Sequence, residues 1–318
     1  MNDNRQVYRS INNPIGQFYA NESKGNLTLQ LNTLTALMTG IVQSNQSQFP
    51  LIDGKVPDDT KLESRVMKYR RWIQKEQNDL EIYYLPFVRE LLAALAETRT
   101  LLLVMESSEV GRNCLALILS MVYKGRTLPI VWIVVKGSKG HFPAANYVAL
   151  LHEVRQLIPA GADVIFLGDE EFDSTILQAS IKAYGWAYVC RAEENIILQE
   201  DGVEFSLKDL VVAPGDCLSL PQVLFTQQGF GPVHVIAWWR AGCKEPLYLV
   251  TNLELAEEAC HWYSRRLRSE TFFSIEKDRV FLECMQTYPG RIPDTSLSYL
   301  LKKCAVVNSF QKKQYPNL

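Results

Sequence analysis

Five consecutive apolar residues, Leu101 to Met105, run straight into a charge at Glu106, and this abrupt change restricts the fold more than any other feature. The run is too short for a core helix and has no polar alternation, which suits a strand covered on both faces. Two more apolar runs follow, Cys114–Tyr123 and Leu128–Val135, separated by Lys124-Gly125-Arg126-Thr127, a turn of hairpin length. Beyond them helix and strand alternate: a helix over Ala144–Leu157, a strand Val164–Leu167 closed by Gly168-Asp169, a helix from Phe172 to Tyr184, and a strand Trp186–Cys190. Three adjacent strands followed by this alternation predict an α/β fold, a mixed sheet with flanking helices.

Upstream of the first strand the periodicity is helical throughout. Leu27, Leu31, Leu34, Met38 and Ile41 recur on one helix face, and Leu62, Val66, Tyr69 and Ile73 do so again in a segment that also carries Lys61, Arg65, Lys68, Arg70, Arg71 and Lys75. A third apolar stretch, Tyr84 to Leu95, completes an all-helical N-terminal region. Downstream, residues 192–246 are rich in Gly and Pro with short β-like pieces, and they are expected to form an inserted β-rich unit. Leu247–Thr251 returns to a core strand, Leu255 to Leu282 forms a long helix, and Leu297–Val307 is a further helix candidate before a basic end at Lys312 and Lys313.

Composition narrows the partners. The 33 Lys+Arg and 35 Asp+Glu leave a net charge of −2, so a polyanion has to be met by a local basic patch rather than by the whole surface. Seven cysteines without a C-x-x-C pair argue against a disulfide framework and a structural zinc site. The start is polar, and Leu128–Val135 falls well short of the roughly 18–20 residues that span a bilayer, so a cytoplasmic protein with no membrane partner is expected.

A buried strand that ends in a carboxylate presents that charge at the sheet edge, where mixed sheets bind ligands. This happens at Glu106 and again at Asp169. The long helix carries Tyr263, Arg266, Glu270 and Lys277 at offsets of three, four and seven, which aligns all four on one face. This Y-(2)-R-(3)-E-(6)-K spacing resembles the third-carboxylate motif of DDE transposases in the insertion-sequence-four group. The resemblance extends to the hairpin Lys124-Gly125-Arg126-Thr127-Leu128-Pro129-Ile130, to Gly168-Asp169-Glu170-Glu171-Phe172, to the strand ending Tyr188-Val189-Cys190-Arg191, to the β-rich insertion, and to Tyr248-Leu249-Val250-Thr251-Asn252 before the helix.

The resemblance implies an RNase H-like catalytic domain over 98–191 and 247–318, interrupted by the insertion at 192–246 and preceded by a helical DNA-binding region over 1–97. It implies a transposase that cuts the inverted-repeat ends of an insertion sequence and joins them to target DNA as a homodimer, on the nucleoid. Glu106, Asp169 and Glu270 would hold two Mg²⁺ or Mn²⁺ ions for phosphoryl transfer on double-stranded DNA. Arg266 and Lys277 would bind phosphates, and Tyr263 would position the backbone or a base. Trp238 or Trp239 in the insertion would stack on a flipped base, and Arg65, Arg70 and Arg71 would touch the transposon end.

One position departs from the pattern. The family has Asp where this chain has Glu106, and there is no Asp between Asp79 and Asp163 to take its place. Glu109, three residues further on, is expected to lie in a loop. A catalytic constellation tolerates about 0.5 Å of misplacement, and one extra methylene moves a carboxylate by about 1.5 Å. Two rival readings follow: a DNA-binding relative without metal chemistry, and a metal-dependent DNA nuclease without strand transfer.

Overall fold

The computed structural model describes residues 2–21, 25–44, 46, 48–57, 60–73, 80–109, 114–124, 126–136 and 142–276. The described residues fall into two compact units, one built from the chain up to Pro86 together with Cys114, Ile275 and Glu276, and the other from Phe87–Glu109 and Leu115–Ser274.

The first unit is helical, with α1 (Asn2–Phe18), α2 (Asn26–Ser44), α3 (Phe49–Asp53), α4 (Leu62–Ile73) and α5 (Leu80–Tyr83). Sequence periodicity does not announce α1, whose only buried apolar residues within the helix, Val7, Ile11 and Ile15, sit among Asn, Gln and Arg. In α2, Leu31, Leu34, Leu37 and Ile41 are buried, and Thr33, Thr35 and Thr39 satisfy their hydroxyls by donating to the carbonyls of Leu29, Leu31 and Thr35. In α4, Val66 and Tyr69 turn inward as the spacing predicts, with Trp72 in place of Leu62, which stays exposed. Arg65 on the same helix places its Nη2 2.8 Å from Asp53 at the end of α3, whose side chain is fully buried.

The second unit opens on α6 (Leu85–Ala96), which begins just before the boundary, and then enters the sheet: β1 (Leu101–Glu109), β2 (Cys114–Tyr123), β3 (Arg126–Lys136), α7 (Ala144–Leu157), β4 (Val164–Gly168), α8 (Thr175–Ala183) and β5 (Ala187–Ala192). Four strands come next, β6 (Ile197–Glu200), β7 (Val203–Ser206), β8 (Cys217–Phe225) and β9 (Phe230–Trp238), then β10 (Leu247–Thr251) and α9 (Ala256–Glu276). The described strands form one sheet in the order β3-β2-β1-β4-β5-β10-β9-β8-β6-β7. Strands β1, β4 and β5 are mutually parallel and β10 is antiparallel to β5, so the sheet is mixed, with α7 on β3, α8 on β5, and α7 against α8. The strands of the Gly/Pro-rich stretch extend this same sheet through the antiparallel pairing of β9 with β10.

Alternation along the strands explains why the apolar runs are continuous. Leu102 and Val104 join Ile165, Leu167, Val189, Ile236 and Leu249 in a cluster closed by Ala259, Cys260 and Tyr263 of α9. Leu101, Leu103, Met105 and Phe166 project to the other face, where they are equally buried. The first strand does not stop at Met105. Strand β2 carries it on, pairing Glu106, Ser107, Ser108 and Glu109 with Ile118, Leu117, Ala116 and Leu115. Glu109 is therefore the last residue of a strand rather than part of a loop.

Candidate active site

The parallel ladder between β1 and β4 runs from Leu101 opposite Val164 to Val104 opposite Leu167. Two residues further along each chain come Glu106 and Asp169. Side chains alternate along a strand, so both carboxylates belong to the face that carries Leu102, Val104, Ile165 and Leu167, which is the face covered by α9. Both acids therefore stand at the same end of the parallel pair, just past its last paired residues. Glu106 is nearly buried.

Local packing sets the position of Asp169. A Cβ on Gly168 would lie 2.9 Å from Cβ of Phe172 and 3.0 Å from Sγ of Cys190, so only glycine fits between the strand and its neighbours. Phe172 is fully buried and meets the Tyr147 ring edge-on at 5.2 Å, pinning the 3-10 turn Glu170–Phe172 to the core. Asp169 caps that turn, its Oδ1 accepting from the Glu171 amide at 3.2 Å. Its other oxygen, Oδ2, accepts from Arg266 Nη2 at 2.8 Å.

Arg266 reaches Asp169 because α9 repeats its buried positions at helical spacing. Ala259 and Tyr263 pack into the sheet cluster, and Arg266, one turn further, is the next inward position. Arg266 is only 2% exposed and Tyr263 only 1%. Charge and burial are compatible here because the guanidinium is paired with a carboxylate. As placed, the Tyr263 ring meets the sheet and the Arg266 guanidinium meets Asp169.

Glu171, which the sequence marks only as one of three consecutive acids, holds a central place. Its Oε2 accepts from Ser107 Oγ on β1 at 2.5 Å and its Oε1 from the Tyr147 hydroxyl on α7 at 3.1 Å. Burial, then the charge of Glu171, pushes the Tyr147 phenol above its ordinary value, so Tyr147 remains a hydrogen-bond donor at neutral pH. Nearby, burial lifts the Asp173 carboxyl to about 6 against an opposing hydrogen bond with the Glu193 backbone, with smaller upward contributions from the Glu193 and Glu170 charges. Burial, with Asp173 next in weight, pushes the Cys190 thiol up, so Cys190 is a packing residue and not a nucleophile. Glu170 faces outward, 3.5 Å from Arg191.

The remaining candidates are dispersed. Glu270 lies four residues beyond Arg266 on α9, where the structure describes the backbone and not the side chain. Lys277, the Leu297–Val307 segment, Lys312 and Lys313 lie outside the described residues. Trp238 is half-buried against the α9-facing cluster, with the Arg240 guanidinium 5.4 Å from its ring. Trp239 donates its indole N–H to the Cys243 carbonyl at 3.0 Å. In the first unit Arg70 and Arg71 are exposed in the last turn of α4, whereas Arg65 is engaged by Asp53.

Carboxylate oxygens are the donors that Mg²⁺ and Mn²⁺ prefer, and Glu106 with Asp169 offers part of such a shell. Among the described residues, no group of three or more His, Cys, Asp or Glu is arranged to hold a metal ion. A three-carboxylate site therefore depends on the Glu270 side chain. No helix among the described residues is long and apolar enough to cross a membrane.

No protein-family model and no curated protein matches the sequence. Among solved structures, the piggyBac transposase, seen in its synaptic complex with hairpin DNA, is 13% identical over 96% of this chain and 71% of its own, with a TM-score of 0.52. This likeness extends to the fold, a large mixed sheet with flanking helices. Human endonuclease V is 15% identical over 71% of this chain and 99% of its own, at a TM-score of 0.29, too low to bear on the assignment.

Proposed function

We propose that this chain is a DNA transposase of the insertion-sequence-four kind, cutting transposon ends and joining them to target DNA by metal-assisted phosphoryl transfer. One observation carries the proposal: Glu106 of β1 and Asp169, the residue that follows β4, each lie two residues past the last pair of the β1–β4 parallel ladder, and Asp169 meets Arg266 of the helix α9 that covers this sheet face. Glu270 follows one turn along the same helix. The fold likeness to a transposase seen with hairpin DNA supports double-stranded DNA as the partner.

In this reading Glu106, Asp169 and Glu270 hold two Mg²⁺ or Mn²⁺ ions. Such a pair supplies activation of a water or a 3′-hydroxyl and neutralises charge on the leaving oxygen. Arg266 orients the Asp169 carboxylate from within the core and keeps one of its oxygens directed toward α9. Lys277, with Arg70 and Arg71 of the basic helix, supplies phosphate contacts. Trp238 and Trp239 form the aromatic platform of the insertion. The working unit is a homodimer joining two ends, active on the nucleoid.

A second reading, a DNA-binding relative without metal chemistry, is favoured by Glu106 itself, whose extra methylene shifts the carboxylate from where an Asp would place it. A nuclease without strand transfer would use the same carboxylates. Cleavage of an end-bearing duplex with Mg²⁺ and with Mn²⁺ separates these readings, using this protein, Glu106→Asp and Asp169→Ala. The enzyme reading predicts cleavage by this protein and by Glu106→Asp, and none by Asp169→Ala. Cleavage by Glu106→Asp alone identifies the DNA-binding relative, and cut ends that never join to target identify the nuclease.

A further inference from the structure

The pairing of β1 with β4 ends at Val104 opposite Leu167, two residues short of the carboxylates, and β4 itself ends at Gly168. Backbone hydrogen bonds of that ladder therefore do not set how far Glu106 stands from Asp169. A site for divalent ions needs that separation held to about 0.5 Å. A side-chain bridge lies where the ladder stops. Ser107, the residue after Glu106, donates to Glu171 Oε2 at 2.5 Å, and the Glu171 amide donates to Asp169 Oδ1 at 3.2 Å. The Tyr147 hydroxyl, on the buried face of α7, donates to Glu171 Oε1 at 3.1 Å and anchors the bridge.

We infer that Glu171 is a positioning residue that fixes the Glu106–Asp169 separation by linking the β1 end, through Ser107, to the turn capped by Asp169, and thereby sets the affinity of the site for divalent ions. The inference rests on the metal-site reading above. Each Glu171 oxygen accepts from a protein hydroxyl, one on β1 and one on α7, which suits a residue that acts through the two candidate ligands. An anionic acceptor strengthens the bridge, since hydrogen bonds to a charged carboxylate are roughly twice as strong as neutral ones. Residues that orient metal ligands in this way typically cost about 10–100-fold in metal affinity when removed.

The test is Mn²⁺ titration of the full-length chain, following the loss of the free-ion electron paramagnetic resonance signal. It compares this protein with Glu171→Ala, Glu171→Gln, Ser107→Ala, Ser107→Thr, the Ser107→Ala/Glu171→Ala double variant and Asp169→Asn. Duplex DNA binding without metal serves as the measure of an intact fold. The expected result is at least tenfold weaker Mn²⁺ binding for Glu171→Ala, a smaller loss for Glu171→Gln and Ser107→Ala, and recovery in Ser107→Thr, which keeps the hydroxyl. The double variant should be no weaker than Glu171→Ala alone, because the two residues act as one bridge. Mn²⁺ binding by Glu171→Ala equal to that of this protein, with Asp169→Asn binding lost, overturns the bridge and leaves the site reading standing. No Mn²⁺ bound by this protein, or undiminished binding by Asp169→Asn, overturns the site reading and the bridge with it.

Discussion

Two arginine–aspartate pairs in this molecule have the same 2.8 Å separation and opposite geometry. In the helical unit Asp53 is fully buried and Arg65 reaches in from an edge, 11% exposed. At the strand ends the arrangement is inverted: Arg266 is 2% exposed and the Asp169 side chain is 35% exposed. A pair whose acid is innermost locks a helix junction and offers nothing outward. A pair whose base is innermost holds an acid at the surface with part of its coordination capacity facing solvent. The difference separates a structural ion pair from one suited to chemistry, at equal distance and with the same residue types.

Breaking the two pairs separates these roles most sharply. Asp53→Ala leaves Arg65 without its carboxylate in a largely buried position, which costs about 3–5 kcal/mol. A thermal melt should show this as a large destabilisation, with cleavage per folded molecule unchanged. Asp169→Ala should cost a comparable amount, about 3–5 kcal/mol, because it leaves the Arg266 guanidinium, 2% exposed, without its carboxylate. Its cleavage should in addition fall to background.

Removing the base instead of the acid sharpens the contrast. Arg266→Met should tighten Mn²⁺ binding by about tenfold, since a unit charge about 4 Å away is worth about 4 kcal/mol at an effective dielectric of 20 and solvent at Asp169 discounts much of it. Unchanged or weaker binding would mean that Arg266 does not compete with cations for Asp169. Gly168→Ala probes the same acid through packing. The new methyl must displace Phe172 or Cys190, at about 1–3 kcal/mol, and should lower cleavage by shifting Asp169.

A further effect concerns pH. The Asp173 carboxyl, lifted to about 6 chiefly by burial, keeps its proton in the folded chain over a range where the unfolded chain has released it. Its contribution to stability is present below about pH 4 and lost as pH rises to about 6, a change of about 1–3 kcal/mol. Asp173→Asn should flatten the stability profile across that window, as measured by urea melts from pH 4 to 7.

Much of the sheet was legible because burial on both faces leaves continuous apolar runs. Ala144–Leu157 and Leu247–Thr251 form over the stretches that periodicity marks, and Gly168-Asp169 closes its strand as expected. The helix α1 was not legible, since Val7, Ile11 and Ile15 are too sparse among polar residues to give a clear stripe. Nor was the length of β1, because Ser107, Ser108 and Glu109 are polar and are kept in the strand by pairing with β2, a long-range effect that local spacing does not carry. In the site, offsets along one helix placed Tyr263 and Arg266 on a common face. What that face meets depends on the neighbouring strands, so the pairing of Arg266 with Asp169 and the bridge through Glu171 emerge only in three dimensions.

The central claim is that Glu106 and Asp169 share divalent ions. Crystals grown with Mn²⁺ and measured at the manganese absorption edge test it most directly. The account predicts an anomalous peak touching carboxylate oxygens of both Glu106 and Asp169, with Glu270 completing the shell. Manganese bound elsewhere, with the Arg266 guanidinium still on Asp169 and no peak between the two strand-end acids, would contradict it.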